Sequence, residues 1–137
     1  MGNLAKKNGF GIDFNPTLFS HPLVKEGLTV SSPEKDVRDF WIRHCIACRQ
    51  IAEPHRRGNG RYVLNNFWIP DGLKDYAADA YGLRARLKDS LDEIYSFETP
   101  HVIDAVEQKV FGIGVEGFTT GNQEFYVSYA PRRAATM

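Results

Sequence analysis

The chain has 137 residues, 42% of them hydrophobic and 25% charged, a balance that fits one ordinary domain and excludes both a disordered and a membrane-embedded chain. Its 17 basic and 17 acidic residues cancel to a formal net charge of +0, which argues against a nucleic-acid partner, since such proteins carry a basic excess. No apolar run approaches the length that spans a bilayer, and residues 1–9 lack the apolar core of a secretory signal, so no membrane partner is expected and the expected location is cytoplasmic.

Residues 10–14, Phe-Gly-Ile-Asp-Phe, read as a short strand that Asn15 and Pro16 end, because proline cannot continue a central ladder. Residues 17–22 follow as a loop, and residues 27–32 as a second turn-rich piece. His21, beside Pro22, is either a ligand or general base, or a histidine that bonds the loop backbone; the second is the commoner case and is favoured. Ser32-Pro33-Glu34-Lys35 reads as a helix start, with Ser32 able to cap, Pro33 suited to the first helical position and Glu34 suited to the positive end of the dipole. Val37, Phe40, Trp41, Cys45, Cys48, Ile51 and Ala52 then recur at helical spacing and predict one buried face over residues 34–54, ended by Pro54. Arg38, Arg43, Arg49, Arg56 and Arg57 read as a solvated face. Cys45 and Cys48 form a C-x-x-C, but deep inside the helix, away from the N-terminus that would lower a thiol pKa, so both are expected to pack as small apolar groups.

After a turn at Gly58-Asn59-Gly60, residues 62–69 form a nearly continuous apolar run, which predicts a strand buried on both faces as in a parallel sheet. Pro70-Asp71-Gly72 closes it. Leu83, Leu87, Leu91 and Ile94 predict a second helix over residues 82–95. A third strand is expected over residues 101–107. Residues 118–122 read as a loop with a helix cap at Thr120 or Asn122. Phe125, Tyr126 and Tyr129 predict a third helix from about residue 122 to about 130, ended by Pro131, with residues 134–137 as the start of another strand. The order β-α-β-α-β-α implies an α/β fold with parallel strands and right-handed crossovers.

In such folds chemistry gathers at the carboxyl ends of strands. The residues there are Asp13, Asn15, Trp68, Asp71, Glu107 and Lys109. Glu107 and Lys109 stand two residues apart and would share one side of an extended chain, one able to bind a metal and the other to stabilise an oxyanion. Charged pairs at that spacing are also common on exposed strands, and Trp68 reads first as a core residue, with a sugar-stacking wall as the alternative. Oxygen ligands with little sulfur favour Mg²⁺ or Mn²⁺. Gly112 and Gly114 lack the third glycine of a dinucleotide fingerprint.

Several long stretches, taken in order, resemble L-rhamnose isomerase. They are Asp13-Phe14-Asn15-Pro16 with Phe19-Ser20-His21-Pro22, then residues 66–75 (Asn-Phe-Trp-Ile-Pro-Asp-Gly-Leu-Lys-Asp), 86–94, 103–114 and 121–130. The resemblance covers nearly the whole chain. It implies a (β/α)8 TIM barrel that interconverts L-rhamnose and L-rhamnulose with Mn²⁺ or another divalent metal such as Zn²⁺ or Mg²⁺, as a homo-oligomer, a homotetramer when complete. It implies that Glu107 binds the substrate-orienting metal, that Lys109 is catalytic and contacts the sugar, and that Trp68 lines the pocket. It also implies that residues 1–137 are one barrel segment of about three βα units, truncated at both ends, with the remaining metal ligands beyond Met137 and no turnover expected of this chain by itself. Pro131 departs from the family, where that position is helical. The alternatives are a non-catalytic barrel fragment and another xylose-isomerase-like isomerase or epimerase.

Overall fold

The structure, a computed structural model, describes residues 4, 7–9, 12–53, 62–109 and 116–134. Pro54, Arg56, Arg57, the turn at 58–60, Gly112 and Gly114, and residues 135–137 of the expected final strand lie outside them. In chain order the elements are α1 (Lys35–Ala52), β1 (Val63–Trp68), β2 (Gly72–Leu73), α2 (Ala80–Ser96), β3 (Val102–Glu107), β4 (Phe118–Thr119) and α3 (Gln123–Ala134).

β1 and β3 pair in parallel, with Val63 opposite Val102 and Trp68 opposite Glu107. Of the strand expected at 10–14, Phe14 makes a parallel bridge to Asn65 on the other side of β1. The three segments therefore lie in the order Phe14, β1, β3, all running one way. This is the parallel α/β arrangement the element order calls for, and the sheet is not closed. β2 and β4, two residues each, form a separate antiparallel pair where the sequence reads as turn and loop.

One face of the sheet is covered. Val63, Asn65 and Phe67 point into it and are buried, packing with Trp41, Ile42 and Cys45 of α1, with Leu87, Leu91 and Ile94 of α2, and with Tyr126 and Tyr129 of α3. The opposite face, with Leu64 and Ile103, is exposed. The expectation that the second strand is buried on both faces is therefore corrected. On the second face Leu64 is exposed and Trp68 is only half-buried, with Phe19 edge-on to it.

The helices match their periodicity, with three local corrections. Ile51, expected on the buried face of α1, is 52% exposed. The start of α1 is not the expected cap: Glu34 is the N-cap and makes no side-chain cap bond, while Ser32 Oγ accepts from the Glu34 N–H at 3.2 Å, a local turn just ahead of the helix. α3 runs through Pro131 rather than ending there. Its start is as expected, since Asn122 Oδ1 accepts from the Phe125 N–H at 3.0 Å. α2 is capped by Asp79, whose carboxylate accepts from the Gly82 N–H at 2.8 Å. Both cysteines are free and buried. Burial pushes the Cys45 thiol well up and the Cys48 thiol to about 11, so both stay protonated and act as small apolar groups.

Candidate functional site

The parallel register brings Trp68 and Glu107 side by side at the carboxyl ends of β1 and β3. Side chains at paired positions of a parallel ladder share a face, and here that is the uncovered one. Glu107 is exposed and its Oε2 accepts from Asn66 Nδ2 at 2.9 Å. Asn66, two residues before Trp68 and on the same face of β1, thus holds the carboxylate near the strand ends. Trp68 is half-buried, with Phe19 edge-on to it at 5.7 Å and 84°. An indole beside an oriented carboxylate suits a polyhydroxylated ligand, giving an apolar wall for C–H groups and an acceptor for hydroxyls.

Lys109 lies two residues beyond the end of β3 and is buried, at 7% exposure. Its ammonium donates to the Pro70 carbonyl at 2.7 Å and to Glu116 Oε1 at 2.5 Å. Glu107 and Lys109 therefore have different partners, Asn66 for one and Pro70 with Glu116 for the other. The hydrogen bond from Lys109 holds the Glu116 carboxyl below its ordinary range.

The other expected site residues have different places. Asp71 is fully buried. Its Oδ1 accepts from the Thr29 N–H at 2.8 Å and from the Thr29 hydroxyl, and its Oδ2 accepts from the Ser31 N–H at 2.8 Å and the Ser31 hydroxyl at 2.5 Å. Burial pushes its carboxyl up, against the opposing pull of these donors. Asp71 is thus a loop anchor and not a pocket acid, because every donor around it belongs to residues 29–31. Asp13 accepts from the Leu64 N–H at 3.1 Å, low on the β1 edge, and Asn15 is exposed just after the Phe14 bridge. His21 bonds the loop backbone, accepting from the Leu23 N–H at 3.1 Å, and stacks on Phe40 at 4.9 Å.

Arg49 is the largest departure. Expected on a solvated face, it is 5% exposed. Its Nε–H donates to Asp104 Oδ2 at 2.9 Å, and Nη2 lies 2.8 Å from the same oxygen in an ion pair. Nη1 donates to the Ile94 and Phe97 carbonyls at 2.6 and 2.8 Å, and Nη2 to Thr99 Oγ1 at 2.7 Å. Asp104 also accepts from Asn65 Nδ2 at 2.9 Å. The signal was present in the sequence: Arg49 falls four residues after Cys45, on the buried stripe of its own helix. Glu116 had no such signal, since loop spacing carries no period.

Among the described residues no three His, Cys, Asp or Glu side chains converge on one point. Glu107 is the candidate ligand that the described residues place on the open face. A hard divalent ion takes several oxygens, so these residues do not form a metal centre by themselves.

A parallel α/β unit with its polar groups at the strand carboxyl ends belongs to the class that binds small ligands at that edge. The comparisons narrow the class. The sequence matches the family model of L-rhamnose isomerase (RhaA) over residues 2–137. It is 47% identical over 131 residues to the L-rhamnose isomerase of Listeria monocytogenes, covering 94% of this chain and 31% of the relative. It is 48% identical over 135 residues to that of Pectobacterium carotovorum, covering 97% and 32%. The chain belongs to the L-rhamnose isomerase family, and it spans about a third of the length of the curated relatives it matches.

Proposed function

We propose that this chain is the part of an L-rhamnose isomerase that presents Trp68, Glu107 and Lys109 to the sugar, within a (β/α)8 barrel whose further strands add to β3. The observation that carries the reading is the pairing of Trp68 with Glu107 at the carboxyl ends of a parallel ladder, inside a segment nearly half identical to relatives of that name. The reaction moves hydrogen between adjacent carbons of an aldose and its ketose while charge builds on the sugar oxygens. Trp68 walls the pocket. The Lys109 ammonium has three N–H donors; two are engaged, and the third is directed to the developing oxyanion, an interaction stronger in the transition state than in the ground state. Mn²⁺ or a similar divalent ion, when bound, polarises the sugar oxygens. Glu107 would give it one carboxylate and the other ligands would come from outside the described residues. A homotetrameric, cytoplasmic enzyme is part of the same proposal. No helix among the described residues is long and apolar enough to cross a membrane.

The test is a graft in which this segment replaces the matching third of the Listeria monocytogenes relative. The graft should form L-rhamnulose from L-rhamnose; an inactive but folded graft overturns the reading. In an active graft, Lys109→Met should lower kcat and kcat/KM together by roughly 10²–10³-fold, as loss of one oxyanion donor does. Glu107→Gln should weaken Mn²⁺ binding measured calorimetrically. The bare 137-residue chain, assayed with excess Mn²⁺, should give no turnover, as a segment with one candidate ligand would.

A further inference from the structure

Lys109 is set in a clamp built from two directions, and one jaw is a side chain whose only ion pair among the described residues is with Lys109. From β1 comes the Pro70 carbonyl, 2.7 Å from the ammonium. That carbonyl is fixed because the next residue, Asp71, is locked by Thr29 and Ser31, and its own carbonyl accepts from the Thr120 N–H at 3.0 Å. From the other direction comes Glu116, 2.5 Å away in a pair where the lysine and glutamate side chains are 6% and 21% exposed. Glu116 stands two residues before β4, and the intervening Gly117 N–H donates to the Lys74 carbonyl at 2.8 Å. Gly72 on β2 leaves the room that this needs: a Cβ there would stand 3.3 Å from Glu116 Cγ and 2.7 Å from the Phe118 carbonyl oxygen. The second oxygen of Glu116 is buried and has no partner among the described residues. Lys109 is the only side chain among the described residues that this carboxylate meets.

We infer that Glu116 is a positioning residue for Lys109 in the sugar isomerisation proposed above, on which this inference rests. Lys109 sits on a flexible four-carbon stem. Two fixed acceptors remove that freedom and leave the third N–H with one direction.

In the active graft, Glu116→Gln should lower kcat by roughly 10²-fold, the scale of loss from a misplaced group, with KM for L-rhamnose changed less than about twofold. Glu116→Asp, which keeps the charge on a shorter stem, should recover part of the loss. In a Lys109→Met background Glu116→Gln should cost less than about twofold, because nothing is left to position. Losses that multiply, or a Glu116→Gln graft as fast as its parent, overturn the inference. A graft that is inactive, or indifferent to Lys109→Met, instead indicts the functional reading. The clamp is then read in the 137-residue chain by acylation with acetic anhydride, followed lysine by lysine. Glu116→Gln should speed acylation of Lys109 roughly tenfold, the factor for losing one charge-assisted hydrogen bond, and leave Lys35 and Lys88 unchanged. The same comparison with Glu116→Asp separates release of one lysine from unfolding. An unchanged Lys109 rate, or one that rises only together with Lys35 and Lys88 in both variants, overturns the clamp.

Discussion

Arg49 engages all three of its guanidinium nitrogens: Nε on Asp104, Nη1 on the carbonyls of Ile94 and Phe97, and Nη2 on Thr99. The two carbonyls lie at the end of α2, where the helix leaves acceptors without partners of its own. One side chain of α1 thus closes α2 and neutralises an acid of β3. Arg49→Met would leave Asp104 charged beside an apolar stem, and a broken buried pair costs about 3–5 kcal/mol. A urea titration should show that loss as a lower midpoint with an unchanged slope. Glu116 gives a prediction of pH dependence. Its folded-state pKa is lowered from 4.5 by the Lys109 hydrogen bond, so its contribution is present above that value and lost as pH falls through the lowered one. The stabilities of the parent chain and Glu116→Gln should differ at neutral pH and converge as pH falls below the usual carboxylate range. At this scale the sequence was legible where chemistry follows period, as with Cys45 and Cys48, and where it follows a short local bond, as with His21. It was not legible where partners are distant. Asp71 and Lys109 look like site residues from their strand-end positions, and only tertiary structure pairs them with Thr29, Ser31 and Glu116.

Elements were more legible than residues, because each helix and strand announces itself through its own period and its own ends. α2 spans residues 80–96 around the stripe of Leu83, Leu87, Leu91 and Ile94, and Asn122 caps α3. Pro131 was misleading for a physical reason. Proline disfavours a helix interior, but α3 is held by Tyr126 and Tyr129 in the core, and packing outweighs propensity. The penalty remains in the structure, because Pro131 has no N–H for the carbonyl one turn back. Pro131→Ala should therefore stabilise the chain by up to about 3 kcal/mol, seen as more far-ultraviolet helix signal and a higher Tm. The β2–β4 pair was invisible because two residues carry no period at all.

At the scale of the whole molecule, parallel order was legible and closure was not. The alternation of elements implies a parallel sheet, but nothing in a single strand says which of its faces will be covered. β3 presents an edge with no partner strand among the described residues, and Ile103 and Leu64 stand 51% and 40% exposed on the open face. Such an edge beside apolar surface is a template for another chain. The 137-residue chain should self-associate with rising concentration, and Ile103→Lys should shift it toward monomer in sedimentation velocity. Concentration-independent monomer for the parent chain would count against further strands being needed at β3.

The Arg49, Asp104 and Asn65 constellation also fixes which of several sheets this sequence can make. Sliding β3 along β1 by two residues would keep every side chain on its present face, so burial alone scarcely distinguishes the two pairings. The slide would carry Asp104 about 6.6 Å along the strand, out of reach of a guanidinium held in place by the end of α2. Asp104 would then lose its cation, and Arg49 would keep only the neutral acceptors on Ile94, Phe97 and Thr99. The ion pair acts as a tooth in a ratchet: it adds little to the holding force, and it decides where the strands stop. With that stop in place Trp68, and no other residue of β1, comes level with Glu107.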